Sequence, residues 1–181
     1  MTTARPSLTE ALQRAERIHD RAHIEQAVAR MSREIVAELD AEVPYFLPIM
    51  NGALIFAGAL ALAMPIDLEF DYVHATRYRG QTQGRSLHWI KPPPTGLAGR
   101  TVLLVDDILD EGHTLQAIRD FCLAHGARRV LIAVLCQKQH GRVVPGLRAD
   151  FVGVEVPDRY VFGFGMDYYE QGRNLPAIYA L

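Results

Sequence analysis

Apolar and polar positions along this 181-residue chain switch between two periods, and the switches mark out its elements. Ile24, Val28, Met31, Ile35 and Leu39 recur at helical spacing, which predicts an amphipathic helix capped by Asp20. A first helix is expected before it, capped by Ser7 or Thr9 and running to about His19. Tyr45 to Met50 is an apolar run of strand length, although Pro48 lacks the N–H that a strand interior uses. Asn51-Gly52 then turns the chain into a helix over Ala53 to Ala63. From Ile66 to His74 the pattern alternates, with Leu68, Phe70 and Tyr72 on one side and Asp67, Glu69 and Asp71 on the other. Thr76 to Arg85 is polar and without period, the signature of a mobile loop, and Leu87 to Ile90 is a return strand. Pro92-Pro93-Pro94 is a rigid connector. Further strands are expected at Thr101–Val105, Val130–Cys136 and Phe151–Val156, with a helix over Leu115–His125.

Strands that alternate with helices imply an α/β fold with a parallel sheet and right-handed crossovers. In such folds ligands bind beyond the carboxyl ends of the strands, so the residues just past each strand carry the chemistry. After Val102-Leu103-Leu104-Val105, a buried parallel strand by its composition, come Asp106 and Asp107 where that strand would end. Ile108-Leu109-Asp110-Glu111-Gly112-His113 forms a short loop with one glycine, and a helix opens near Thr114. A carboxylate at a strand end accepts hydrogen bonds from ribose hydroxyls. Backbone N–H groups of a glycine turn and a helix N-terminus hold a phosphate. Thr114 is suited both to cap that helix and to offer a hydroxyl. The run suits a ligand carrying sugar hydroxyls and a phosphate, while G-x-G-x-x-G and the Gly-Lys-Ser/Thr loop are absent from it.

Composition narrows the class. With 49% hydrophobic and 22% charged residues the chain supports one globular domain over 1–181. A formal net charge of -2 and no long basic run argue against bulk nucleic-acid binding. The most apolar stretch, Phe46 to Ile66, is broken by Pro48, Asn51, Gly52, Gly58 and Pro65, so no membrane span is expected. Cys122 and Cys136 belong to no Cys-x-x-Cys pair, and with no signal-peptide core a cytoplasmic protein with two buried thiols is expected. Seven histidines are scattered without metal-ligand spacing.

The run from Val102 to Leu115 resembles the phosphoribosyl pyrophosphate (PRPP) motif of the type I phosphoribosyltransferases. Phe151 to Tyr168 resembles the purine-binding segment of the hypoxanthine-guanine members, and the similarity extends from about Val43 to the C-terminus. The resemblance implies a parallel core sheet flanked by helices (about 43–150), N-terminal helices over 1–40 and a small hood over about 151–181. It implies that Asp106 and Asp107 meet the ribose and magnesium, and that Asp110 is the acid or base for the purine's imidazole ring. Ile108 to Thr114 would line the ribose-phosphate, with Glu111 a departure, because a threonine or serine hydroxyl is usual there and a carboxylate repels phosphate. Asn51, Gly52 and Arg173 would bind pyrophosphate, with Asn51 replacing a lysine. Lys138 would donate to the keto oxygen, Tyr160 would stack on the base, Val161 would read its edge, and Asp167 would lie near a second magnesium and the purine's 2-position. Arg77 and Tyr78 would belong to a loop that closes over the reacting centre.

Without the resemblance, Lys138 reads as a surface lysine, and Tyr160 and Phe164 as core aromatics. The activity implied is transfer of the phosphoribosyl group from PRPP to hypoxanthine or guanine, giving nucleoside monophosphate and pyrophosphate, by a magnesium-dependent homodimer or homotetramer. The alternatives are a xanthine-preferring enzyme and a non-catalytic PRPP- or nucleotide-sensing regulator of the same fold.

Overall fold

The computed structural model describes residues 5–77 and 87–181. The chain runs α1 (Leu8–Arg14), β1 (Glu16–His19), α2 (Arg21–Leu39), β2 (Tyr45–Met50), α3 (Leu54–Ala63), β3 (Glu69–Phe70), β4 (Val73–Arg77) and β5 (Leu87–Lys91). It continues with β6 (Thr101–Leu109), α4 (His113–Ala124), β7 (Arg129–Lys138), β8 (Phe151–Val156), β9 (Val161–Phe162) and β10 (Ile178–Ala180). Among the described residues a seven-stranded sheet has the order β5-β4-β2-β6-β7-β8, with β3 also on β2. All its pairings are parallel except β4 with β5.

Strand alternation explains the two helical layers. Leu103 and Val105 of β6 bury into the cluster that holds Ile24, Met31 and Ile35 of α2 and Phe56 and Leu60 of α3. Val102 and Leu104 bury on the other face with Leu115, Ile118 and Cys122 of α4. Successive residues thus serve opposite cores, which is why a strand covered on both faces reads as a continuous apolar run. Both thiols are free and buried. Burial pushes the Cys122 thiol up to about 11, and raises Cys136 well above its ordinary value with help from the charge of Asp107. Among the described residues no helix is long and apolar enough to cross a membrane.

Four expectations change. The first helix ends at Arg14, and residues 16–19, read as its second half, are instead β1. β1 pairs antiparallel with β10, which pairs with β9, so both ends of the chain build a second, three-stranded sheet. Tertiary pairing outweighs helical propensity there. The alternating run over 66–74 yields only the two-residue β3 and then β4, and Phe70 and Tyr72 remain exposed. That interruption accommodates Pro48: β3 pairs with Tyr45 and Phe46, β4 with Ile49 and Met50, and neither pairs with Leu47-Pro48. β6 runs four residues past Val105, so Asp106 and Asp107 lie within the strand instead of after it. Finally, Thr114 is not the cap of α4. The helix starts at His113, and the cap position is Gly112 at φ 81°, a conformation that favours glycine.

Candidate active site

Because β2, β6, β7 and β8 are parallel, their carboxyl ends share one edge, and four expected site segments leave from it. A cleft of about 260 Å³ at this edge is lined by Asp107, Ile108, Asp110, Lys138, Tyr160, Val161, Met166 and Asp167. Apart from Met166, all of these were expected at the ribose or the base. Asp106 is not among them; its Oδ1 accepts the Asp107 N–H at 3.0 Å. Both carboxyls of this adjacent pair are held above the ordinary range. Loss of water is the main cause for each, and the charge of Asp107 adds to it for Asp106.

Asp110, just past the end of β6, takes one donor on each oxygen. Lys138 Nζ donates to Oδ2 at 2.7 Å, and His140 Nε2 lies 2.6 Å from Oδ1. Partial burial raises the carboxyl, but the hydrogen bonds of Lys138 and His140 and the Lys138 charge outweigh it and hold Asp110 below its ordinary value. Lys138 is therefore not a surface lysine. It is the last residue of β7, two residues beyond where the apolar run suggested the strand would stop.

The pyrophosphate candidates converge opposite. Asn51-Gly52 leaves β2 and enters α3, the Met50–Asn51 peptide being cis, with the Asn51 carbonyl accepting the Leu54 N–H at 3.2 Å. Gly52 packs so closely on β6 that a Cβ there would lie 2.0 Å from Asp107 Oδ2. Gly165, at φ +107°, packs on Gly52 in turn: its Cβ would lie 2.1 Å from the Gly52 carbonyl oxygen. Arg173 donates to the Gly165 carbonyl at 2.8 Å and pairs with Asp167 at 2.7 Å. The positive charge of Arg173 is close enough to Asp107 to oppose its upward shift.

Tyr160 precedes β9 and is 44% exposed, with its hydroxyl donating to the Asp167 carbonyl at 3.2 Å. Its ring lies nearly parallel to that of Tyr169, with centroids 6.1 Å apart, and meets Tyr168 edge-on, whereas Phe164 is buried in the core as its apolar character suggested. Val161 is buried and paired with Ala180. At the other end of the cleft's edge, Glu111 has its carbonyl bonded to the Val144 N–H at 2.9 Å and its carboxylate 3.5 Å from His113 Nε2. Gly112 is roofed by Leu147, with no room for a side chain: a Cβ would lie 2.3 Å from Leu147 Cδ2. Thr114 sits in the first turn of α4. Of the loop pair, Arg77 ends β4, and Tyr78 lies outside the described residues, as does most of the loop expected over 76–85. His140, Gly165 and Met166 are the site residues that sequence reasoning missed. The available signal for His140 was its place two residues after Lys138.

A parallel sheet with an acidic strand end, a glycine turn into a helix and a small hood defines a phosphoribosyltransferase. The phosphoribosyl transferase domain family matches residues 14–171. A hypoxanthine-guanine phosphoribosyltransferase of Bacillus subtilis is 34% identical over 156 residues, covering 86% of this chain and 86% of its own. That of Aquifex aeolicus is 33% identical over 161 residues, covering 86% of this chain and 90% of its own. A crystal structure of a hypoxanthine-guanine phosphoribosyltransferase from Bacillus anthracis, with HEPES in its active site, has a TM-score of 0.85 at 26% identity, covering 92% of this chain and 98% of that one. The chain belongs to the phosphoribosyltransferase family, among its hypoxanthine-guanine members.

Proposed function

We propose that the protein is a purine salvage enzyme that transfers the 5-phosphoribosyl group of PRPP to hypoxanthine or guanine, releasing pyrophosphate and IMP or GMP. The observation that carries this reading is the pairing of Asp110 with Lys138 in one cleft beneath Tyr160, with Asp107 and Asp167 beside it. A 6-oxopurine presents a keto oxygen and an imidazole N–H on neighbouring edges. Lys138 donates to the first, and the ionised Asp110 accepts from the second, which eases attack of the ring nitrogen on the anomeric carbon. The C–N bond forms as the C–O bond to pyrophosphate breaks, and the ring proton goes to Asp110 or to water beside it. Lys138 would face the amino group of adenine donor to donor, so adenine is disfavoured. Tyr160, exposed where it lines the cleft, would stack on the base, and the backbone of Val161 would border it.

The ribose and phosphate fall to Asp106, Asp107 and the segment from Ile108 to Thr114, where Gly112, His113 and Thr114 form the phosphate turn and Glu111 contributes its backbone. Asn51, Gly52 and Arg173 take pyrophosphate, and Arg173 is the cation that Asn51 does not supply. Magnesium fits the oxygen donors here, because two carboxyls held above their ordinary range gain from a cation. No group of three or more His, Cys, Asp or Glu among the described residues is placed to hold an ion alone. Asp106, Asp107 and Asp167 would hold magnesium together with phosphate oxygens, the usual arrangement for this ion. When bound, it would neutralise charge on the departing pyrophosphate. We also read 1–181 as one domain and expect a dimer or tetramer, consistent with the exposed Leu54, Ile55 and Leu62 of α3.

The test is incubation of each purine base with PRPP and magnesium, monitored for nucleotide and pyrophosphate. Turnover of hypoxanthine or guanine with little from adenine is expected. Tight PRPP binding with no product from any base would favour the regulator, and product from xanthine alone the xanthine-preferring enzyme.

A further inference from the structure

Lys138 holds one oxygen of Asp110, and the other is held by a residue with no part in the proposed chemistry. His140 comes after β7 in a turn closed by its own N–H on the Lys138 carbonyl at 3.1 Å and by the Gln139 N–H on the Val156 carbonyl at 2.9 Å. Its side chain is 4% exposed, against 44% for Asp110. The Arg142 N–H donates to His140 Nδ1 at 3.0 Å, so Nδ1 is an acceptor and the ring proton resides on Nε2. That Nε2 lies 2.6 Å from Asp110 Oδ1. A neutral imidazole in this tautomer donates to the carboxylate without gaining a proton, and protonating Nδ1 would set it against the Arg142 N–H. Arg142 is itself fixed by two bonds to Asp158, at 2.8 and 2.7 Å.

We propose that His140 is a positioning residue for this active site: its neutral imidazole holds the Asp110 carboxylate through Nε2–H, so that Lys138 on the opposite oxygen keeps ammonium protons for the base. The inference rests on the transferase reading for its catalytic consequence. Asp110 is nearly half exposed, and a carboxylate anchored on only one oxygen is free to rotate about its terminal torsion. Two anchors fix the plane in which it meets the purine. An ammonium has three protons, of which Asp110 engages one here. The charged and titratable groups around His140 are Asp110 and Lys138 on its Nε2 side, Arg142 and Asp158 beyond Nδ1, and Glu111, whose charge reaches Arg142. Removing a donor from a carboxylate raises its affinity for a proton. Loss of His140 should therefore move the protonation of Asp110 toward neutral pH.

The experiment compares wild type with His140→Phe, which keeps a ring without the donor, and His140→Gln, which returns an N–H near the position of Nε2. The Asp110 carboxyl is titrated by carbon NMR, assigned with Asp110→Asn, and kcat and KM for hypoxanthine and PRPP are measured against pH. For His140→Phe we expect the Asp110 midpoint and the acidic limb of kcat to move up together. Plateau kcat should fall on the order of 10-fold, with KM for PRPP within about twofold of wild type, the scatter expected when no PRPP contact is lost. His140→Gln should restore most of both. An unmoved Asp110 midpoint in a folded His140→Phe protein, or no recovery in His140→Gln, overturns the proposal. Nitrogen NMR of the wild-type imidazole needs no variant: a proton on Nδ1, or an imidazolium at neutral pH, overturns it as well. If wild type makes no nucleotide from any purine, the transferase reading fails, and the carboxyl titration and the tautomer still decide whether His140 holds Asp110.

Discussion

Lys138 is the residue where chemistry and position meet most closely. Its substitution by alanine removes the charge-assisted donor we propose for the keto oxygen, and such bonds are worth about 1.5–3 kcal/mol. Its bond to Asp110 adds a second effect, because the same change leaves the carboxylate with one anchor. Lys138→Ala should therefore raise KM for hypoxanthine and also lower kcat, while PRPP affinity changes little, because no PRPP contact is expected of Lys138 itself. The measurement is kcat/KM for hypoxanthine and adenine in both proteins; an unchanged ratio would take Lys138 out of base recognition. The sequence placed Lys138 and Asp110 individually, through resemblance to known motifs, but not their contact. The contact is a product of register. β6 and β7 pair Thr101 with Arg129 and Ile108 with Cys136, a constant offset of 28 residues (129 − 101, 136 − 108), and the same offset carries Asp110 to Lys138. Both faces of β6 and β7 are buried, so their continuous apolar runs carry no alternation from which the register could be read. His140 was illegible for a related reason, since a lone histidine after a strand has no spacing signature.

At the scale of elements, the site is assembled where three backbone segments touch: the end of β6, the Asn51-Gly52 turn and the hood at Gly165. Gly165 combines a left-handed φ of +107° with a Cβ position 2.1 Å from the Gly52 carbonyl oxygen, and backbone atoms cannot yield as a flexible side chain does. Gly165→Ala should destabilise the fold by roughly 1–3 kcal/mol, typical of strain at such a position, and should weaken pyrophosphate binding by moving Arg173, which bonds the Gly165 carbonyl. Urea denaturation and pyrophosphate inhibition read the two effects. A variant normal in both would mean that the hood shifts freely. Long periodic elements were readable in advance: α2 begins at its Asp20 cap and ends at Leu39, and β2, α3 and β8 fall within a residue of their expected bounds. What was not readable depends on distant partners. β1 is a strand because β10 lies beside it, and β6 continues through two carboxylates because β7 runs along it as far as Gln137. The local signal at Asp106-Asp107 is for a strand end, and the ladder overrides it.

For the whole molecule, the acidic pair sets binding against stability. Asp106 and Asp107 are carboxyls whose folded-state proton affinity is raised, mainly by loss of water. For such a group the folded protein binds more protons than the unfolded chain between the two pKa values, so its contribution to stability is greatest at low pH and is lost as pH rises through the folded value. At neutral pH the buried Asp106 carboxyl therefore costs stability that a cation would return. Asp106→Asn keeps the shape and removes the charge. In magnesium-free buffer at neutral pH it should raise Tm, at roughly 2–4 °C for each kcal/mol relieved in a chain of this size. The gap from wild type should close as pH falls and Asp106 takes up its proton. The difference between the two proteins is the proper readout, because Asp110 shifts the opposite way and weakens the fold of both on acidification. Magnesium with PRPP should raise the Tm of wild type by mass action and that of Asp106→Asn much less. Calorimetry over a pH series, with and without the two ligands, tests both halves together. A variant that melts below wild type at neutral pH would mean that Asp106 is held by donors sufficient to satisfy it, and that binding draws on no stored electrostatic cost at this pair.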